Sequence, residues 1–293
     1  MTTIAAALTQ AADAFAGAGI ETPRLDARLL LLWVLKCRRE DLAREPERRL
    51  TDREQIIYEK AVSLRAGRRP LPYITGEAWF YGRPFKINRA VLIPRPETEM
   101  LIDAAQEICL GNPAPLLADI GTGSGCLAVT LASEIPNSTL WATDLSPDAL
   151  KLARKNVVRY ALEPYVTLLP GDLLASLPPT LRCDVIVSNP PYLTEAELDT
   201  LQPEVQGFEP RLALSGDGAA SGPDGTGLHR RLLTESAPYL KPGGWLLMEV
   251  GQGQSEIVAE ASREAGYAEV AIRPDMAGIG RVVLSRRAPC LSW

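Results

Sequence analysis

Asn189, Pro190, Pro191 and Tyr192 stand at the end of an apolar run, Cys183–Val187, after Ser188. The Asn189 carboxamide oxygen and the Pro190 carbonyl are both acceptors. The two prolines bring no N–H and a fixed φ, so the segment is stiff and rich in acceptors. Tyr192 adds a flat ring that packs on a planar amide or base. The nitrogen of an amide, or of an aromatic amine, is a poor nucleophile because its lone pair is delocalised. Two acceptors that hold both hydrogens of an NH2 group turn that lone pair towards an electrophile, so catalysis is mainly a matter of aim. No strong base is needed beforehand, because the nitrogen becomes acidic once alkylated. Taken alone, the four residues also fit an ordinary turn. Their place after a strand and downstream of a glycine-rich turn favours the chemical reading.

That glycine turn is Gly121-Thr122-Gly123-Ser124-Gly125, after the apolar strand Pro115–Ile120. It departs from the dinucleotide fingerprint: its third glycine comes one residue early and position 126 is Cys. No Gly-Lys-Ser/Thr follows, so it is not a phosphate loop. Asp144 ends the second strand, where a carboxylate accepts both ribose hydroxyls. Asp172 ends the third, where a carboxylate can accept from an adenine amino group, and Leu173 follows it. Asp also caps helices, but Ser146 is placed to cap the helix after Asp144. Together these ends describe an adenosine-shaped site without a pyrophosphate grip, which fits S-adenosylmethionine.

These residues need a sheet to bring them to one edge. From residue 115 onwards, apolar strands alternate with helices: Ser124–Ile135, Pro147–Tyr160, Thr226–Leu240 and Gln254–Ala265. Alternation of this kind implies a mostly parallel, doubly wound sheet, with ligands at the carboxyl ends of its strands. The last two strands, Ala268–Ile272 and Arg281–Leu284, give an antiparallel finish. The loop 189–225 is too long to be incidental. Upstream, three helical patterns (3–17, 22–36 and 51–66) and a short piece near Arg39–Ala43 form a small all-α domain, with Leu29, Leu30, Trp33 and Val34 expected in its core. Thr51 to Glu54 reads as a capping box and Gly67 as its helix stop. Residues 70–94 read as a β-hairpin linker that includes a β-like run Tyr73–Thr75. A helix is expected from Glu97 to Cys109. The expected domains are therefore 1–69, 70–94 and 95–293.

Composition narrows the function. The longest apolar run, Leu29–Leu35, is far too short to span a bilayer, and no basic leader opens the chain. Cysteines at 37, 109, 126, 183 and 290 show neither disulfide nor zinc spacing, which suits a reducing cytoplasm. His229 is the only histidine, so two-His metal ligation is excluded. In its polar surroundings it reads as a surface residue. Residues 1–90 hold 16 Lys and Arg against 11 Asp and Glu, a net +5; residues 91–293 hold 15 against 25, a net −10. An acidic catalytic half argues against a nucleic-acid substrate, whose phosphates need Lys and Arg.

The chain resembles the bacterial release-factor glutamine methyltransferases, the HemK family, over nearly its whole length. The resemblance rests on Tyr73–Gly76, Phe80–Gly82, Val91–Glu99, Asp119–Gly125, Asn189–Tyr192, Phe208–Arg211, Gly222–Gly225 and Glu249–Gly251. It implies a class I S-adenosylmethionine-dependent methyltransferase: a Rossmann-like doubly wound sheet with an antiparallel last strand, preceded by a small all-α domain. It implies N5-methylation of the Gln in the Gly-Gly-Gln loop of bacterial class I peptide chain release factors, with S-adenosylhomocysteine as the product, no metal and a cytoplasmic setting. The glycine turn (Gly121 to Gly125), Asp144, Asp172, Leu173 and Asn189 would touch the cofactor. Asn189 and Pro190 would be catalytic, and Asn189 to Tyr192 would hold the Gln. An aromatic is frequent where this chain has Leu173, which covers adenine without stacking. The helical domain would engage the release factor. Asn-Pro-Pro-Tyr is also shared with adenine-N6 methyltransferases, so methylation of DNA or RNA is the alternative. A non-catalytic binding module on the same scaffold, and a dinucleotide oxidoreductase, are the further ones.

Overall fold

A computed structural model describes residues 2–216 and 220–289 of the chain. Cys290 and three residues of the 189–225 loop lie outside the described residues. The chain divides into two compact units, Met1–Glu77 with Gln202–Phe208, and Ala78–Leu201 with Glu209–Trp293.

The first unit is helical. Helix α1 (Ile4–Gly17) starts at Thr3, whose hydroxyl accepts from the Ala6 N–H. It buries Ile4, Ala7, Ala11 and Phe15 at helical spacing. Helix α2 (Pro23–Leu35) begins with proline, φ pre-set, at its first position. Its buried face is Asp26, Ala27, Leu30 and Leu31. Leu29 and Trp33, expected in the core, are 38% and 39% exposed, and Val34 is only half-buried. An all-leucine run carries no periodicity, so the burial phase is set by Asp26, whose carboxylate accepts from buried Arg65 at 2.7 Å. Helices α3 (Arg39–Arg44) and α4 (Asp52–Ala66) follow. Thr51 and Glu54 form a reciprocal capping box at α4 and Gly67 stops it. Tyr73–Thr75, expected as β-like, lies in helix α5 (Leu71–Thr75): Pro70 and Pro72 open that turn and Gly76, in the left-handed region, closes it.

In the second unit, β1 (Glu77–Phe80) and β2 (Arg83–Lys86) make a hairpin. Phe80 of β1 meets Phe85 of β2 edge to face, and Phe85 lies tilted against Tyr160, with centroids 6.2 and 5.5 Å apart. A 3-10 turn, Pro96–Thr98, leads into α6 (Glu99–Cys109). Then come β3 (Leu116–Ile120), α7 (Cys126–Glu134), β4 (Thr139–Asp144), α8 (Pro147–Arg159), β5 (Val166–Pro170) and β6 (Cys183–Ser188). The described residues of the 189–225 stretch carry three short helices, α9 (Glu195–Leu198), α10 (Pro203–Phe208) and α11 (Arg211–Ser215). Of these α10 belongs to the helical unit, where Glu204 accepts from Arg65 and Arg68. Helix α12 (Gly227–Ser236), β7 (Leu240–Glu249), α13 (Ser255–Glu264), β8 (Glu269–Pro274) and β9 (Gly280–Arg286) complete the chain.

The seven-stranded sheet has the order β5-β4-β3-β6-β7-β9-β8. Neighbours from β5 to β7 are parallel, and β9 runs antiparallel to both β7 and β8. The order reverses at β3, so the carboxyl ends of β3, β4 and β6 open on one crevice. Leu117, Ala118, Val185, Ile186, Leu246 and Leu247 are fully buried, which fits strands covered on both faces.

Candidate active site

The turn after β3 is built by Asp119. This fully buried carboxylate accepts from the Thr122 hydroxyl at 2.6 Å and from the Ala128 N–H at 3.1 Å, tying the turn to the start of α7. Burial pushes its carboxyl up to about 7. Gly121 and Gly123 hold φ of +78° and +55°, and a side chain on either would stand in open space at the crevice. Gly125, at the first turn of α7, instead faces Ala153, 3.2 Å from where a Cβ would sit. Its role is close packing of α7 on α8.

Asp144 at the end of β4 closes the turn from the other side. Its Oδ2 accepts from the Gly123 N–H and its Oδ1 from the Ser146 N–H, both at 2.8 Å. Ser146 caps α8, accepting from Ala149, so Asp144 is free of that duty. Asp144 is raised above the ordinary carboxylate range by burial. Asp172 pairs with Arg231 of α12 at 2.9 Å. Leu173 adopts φ +47°, rare for a branched residue, and its carbonyl accepts from Thr143.

A cavity of about 510 Å³ joins these ends. Gly121, Thr122, Gly123, Ser124, Asp144, Asp172, Leu173, Asn189 and Pro191 all line it. Gly125, Pro190 and Tyr192 stand outside its lining. Pro190 is buried; Tyr192 is half-buried, its carbonyl accepting from Gln254 at 2.9 Å. Burial pushes the Tyr192 phenol up to about 12. The opposite wall is apolar, with Val91, Leu92, Pro94, Leu212, Ala213 and Leu228. It is pinned by Glu209, which accepts from the Ile93 N–H at 3.1 Å and from Arg95 at 2.6 Å. Leu145, 53% exposed, adds an apolar face next to Asp144. The described lining holds three carboxylates and one guanidinium, a field that favours a cationic guest.

Residues outside the expected set hold Asn189. Its Nδ2 donates to Thr98 Oγ1 at 3.1 Å, and Thr98 donates to Glu249 Oε2 at 2.6 Å. Thr98 and Glu249 are 3% and 2% exposed. With Nδ2 turned to Thr98, Oδ1 points away from it, in a residue that lines the cavity. Burial pushes Glu249 up to about 7. His229 is fully buried, not a surface residue: α12 lays it against β7, and its Nε2–H donates to the Glu249 carbonyl at 2.8 Å. That burial pushes its imidazole down to about 4, so the ring is neutral. Thr98 and Glu249 were visible in sequence only as parts of the Val91–Glu99 and Glu249–Gly251 runs.

The lining is compatible with an adenosyl sulfonium: a glycine turn without side chains, the buried-side carboxylate of Asp144, the apolar Leu145 and Leu173, and net negative charge. Family profiles agree. Residues 6–76 match the PrmC N-terminal domain and residues 97–207 the methyltransferase small domain. The release factor glutamine methyltransferase of Koribacter versatilis is 44% identical over 266 residues, covering 91% of this chain and 92% of that one. The protein of the same name from Moorella thermoacetica is 40% identical over 286 residues, covering 97% and 99%. Among solved structures, a methyltransferase from Pyrococcus furiosus aligns with a TM-score of 0.51 at 17% identity, over 80% of this chain and 96% of that chain. The hMettl16 catalytic domain with an RNA hairpin aligns at 0.56 and 16%, over 83% and 84%. Those likenesses show the fold, a class I methyltransferase, while the sequence relatives decide the family. This chain belongs to the release factor glutamine methyltransferases.

Proposed function

We propose that this chain methylates the side-chain amide nitrogen of the Gln in the Gly-Gly-Gln loop of bacterial class I release factors. The observation that carries the reading is the orientation of Asn189, which turns Nδ2 to Thr98 and so points Oδ1 away from it, in a residue that lines the cavity. S-adenosylmethionine bound at the glycine turn would supply an electrophilic methyl group and leave as S-adenosylhomocysteine. Asp144 takes the ribose hydroxyls, Leu145 and Leu173 cover the adenine, and Asp172 with Arg231 borders it.

Asn189 Oδ1 accepts one N–H of the target amide and the Pro190 carbonyl accepts the other. The nitrogen lone pair is then aimed rather than made more basic, and the barrier falls through orientation. Pro191, in the lining, flanks the planar amide, and Tyr192, outside the lining as the cavity stands, would have to turn its ring to reach it. The surplus proton leaves the nitrogen after the new N–C bond forms. No metal takes part, and the reaction belongs in the cytoplasm, where release factors work. No described helix is long and apolar enough to cross a membrane.

The test is incubation of the protein and labelled S-adenosylmethionine with a release factor, and separately with duplex DNA. One added methyl on the Gly-Gly-Gln peptide is the expected result. Label in DNA alone contradicts the reading.

A further inference from the structure

The chain of bonds from Asn189 through Thr98 to Glu249 can run in two directions, because a hydroxyl both donates and accepts. With Glu249 ionised, only acceptors lie at its end. Thr98 must donate to Glu249, its lone pair must face Asn189, and Nδ2 of Asn189 must be the atom that meets it. Oδ1 is then presented to the cavity. With Glu249 protonated, the carboxyl can donate to Thr98, Thr98 can donate to Oδ1, and the amide can turn over. Nδ2 is then presented to the cavity, a donor facing the donors of an NH2 group.

We infer that Thr98 and Glu249 are positioning residues which set the polarity of the Asn189 amide, and that an ionised Glu249 locks it in the form that can hold a substrate NH2. This rests on the amide-methylating reading above for its consequence, though not for its geometry. Both relay residues are buried, Glu249 behind Thr98, which itself borders the cavity, so bulk water has little access to their bonds. The β7 end that carries Glu249 is held by the neutral His229, which donates to its backbone carbonyl. The charged or titratable groups that act on the carboxyl are Glu97, on the turn that carries Thr98, with Arg95 and Arg281; Glu249 acts in turn on Tyr192. The two arginines favour the ionised form and Glu97 opposes it. Burial places the carboxyl near neutrality, where a modest change of pH changes its charge.

The experiment uses the full chain and three variants, Thr98→Val, Thr98→Ser and Glu249→Gln. Thr98→Val should lower kcat by about 10- to 100-fold, the loss typical when a group that orients a reacting side chain is removed. The affinity for S-adenosylmethionine by calorimetry should stay within about 3-fold. Thr98→Ser should restore most of the rate. The wild-type kcat should rise with pH through neutrality, and Glu249→Gln, which has no charge to gain, should remove that inflection. A second readout needs no turnover. The side-chain 15NH2 signal of Asn189, identified by its loss in Asn189→Ala, should show in the wild type a larger protection at pH 8 than at pH 6, each relative to the intrinsic base-catalysed exchange rate at that pH. In Thr98→Val that protection should be lost at both. Wild-type kcat in Thr98→Val, a serine variant no better than valine, an unchanged inflection in Glu249→Gln, or pH-independent protection of the Asn189 amide would each overturn the inference. If no release factor is methylated, the reading of the substrate fails and the amide signal still decides the relay.

Discussion

Asn189 and Thr98 lie 91 residues apart in the chain and meet at 3.1 Å, nitrogen to hydroxyl oxygen. The near-isosteric Asn189→Asp keeps an oxygen for the cavity but replaces the donor with a second acceptor. Two carboxylates then compete for the single proton of Thr98, and one is left buried without a partner. We expect methyl transfer to fall by about 100-fold, close to the loss from removing a preorganised polar group. Single-turnover rates at pH 8 check this; an aspartate variant near wild-type speed would contradict it.

Gly225 and Gly121 share a positive φ, +73° and +78°, yet should respond differently to alanine. At Gly225 a Cβ would stand 2.1 Å from the Tyr192 carbonyl oxygen and 2.4 Å from Gln254 Nε2. Strain and overpacking together should cost about 3 kcal/mol and disturb the Asn189–Tyr192 turn. At Gly121 the space is open, so alanine should cost only about 1–2 kcal/mol of stability but obstruct the cavity. Chemical denaturation and cofactor calorimetry on both variants separate the two effects: Gly225→Ala should lose mainly stability, Gly121→Ala mainly affinity.

His229 makes stability depend on acidity. Its folded-state value, about 4, lies below the ordinary 6.5, so between these values the unfolded chain binds the proton and the folded chain refuses it. Stability therefore falls as pH drops from about 6.5 to 4. The contribution is on the order of 3 kcal/mol for a fully buried ring. Asp119 and Glu249, raised to about 7, act oppositely, weakening the fold as pH rises from about 4 to 7. Denaturation of His229→Gln should show a lower maximum and a flatter loss below pH 6.5. An acid limb as steep as the wild type would remove His229 from the account.

Glu209 joins the Val91–Arg95 strip to the loop that follows α10, through the Ile93 N–H and Arg95. Glu209→Ala leaves a backbone donor unpaired and loosens the wall formed by Leu92, Pro94 and Pro210. The expected cost is about 2 kcal/mol, together with weaker cofactor binding and a smaller effect on kcat at saturation. Thermal unfolding and calorimetry test it.

Much of this was legible in the sequence because it depended on local chemistry. Capping at Thr51, the glycine turn, the strand-end Asp144 and the stiff Asn189–Tyr192 turn each carry their own signal. What was hidden depends on distant partners. The burial phase of α2 is decided by Arg65, far from the leucine run that it orients. Nothing near His229 in sequence announces the β7 carbonyl that accepts from it. Thr98 and Glu249 converge on Asn189 only once β6 and β7 pair, so no spacing rule could single them out. Tyr73–Thr75 misled because aromatic and β-branched residues favour strands, while the prolines and Gly76 at its ends impose a helical turn.

The most direct test of the central claim compares wild type and Asn189→Ala on one release factor, with the methylated residue located by fragment mass analysis and cofactor affinity measured on the same samples. The wild type should place a methyl on the Gly-Gly-Gln glutamine. The variant should transfer at least ~1,000-fold more slowly while it stays folded and binds cofactor. Transfer by Asn189→Ala at the wild-type rate, or a methyl on any other residue, would contradict it.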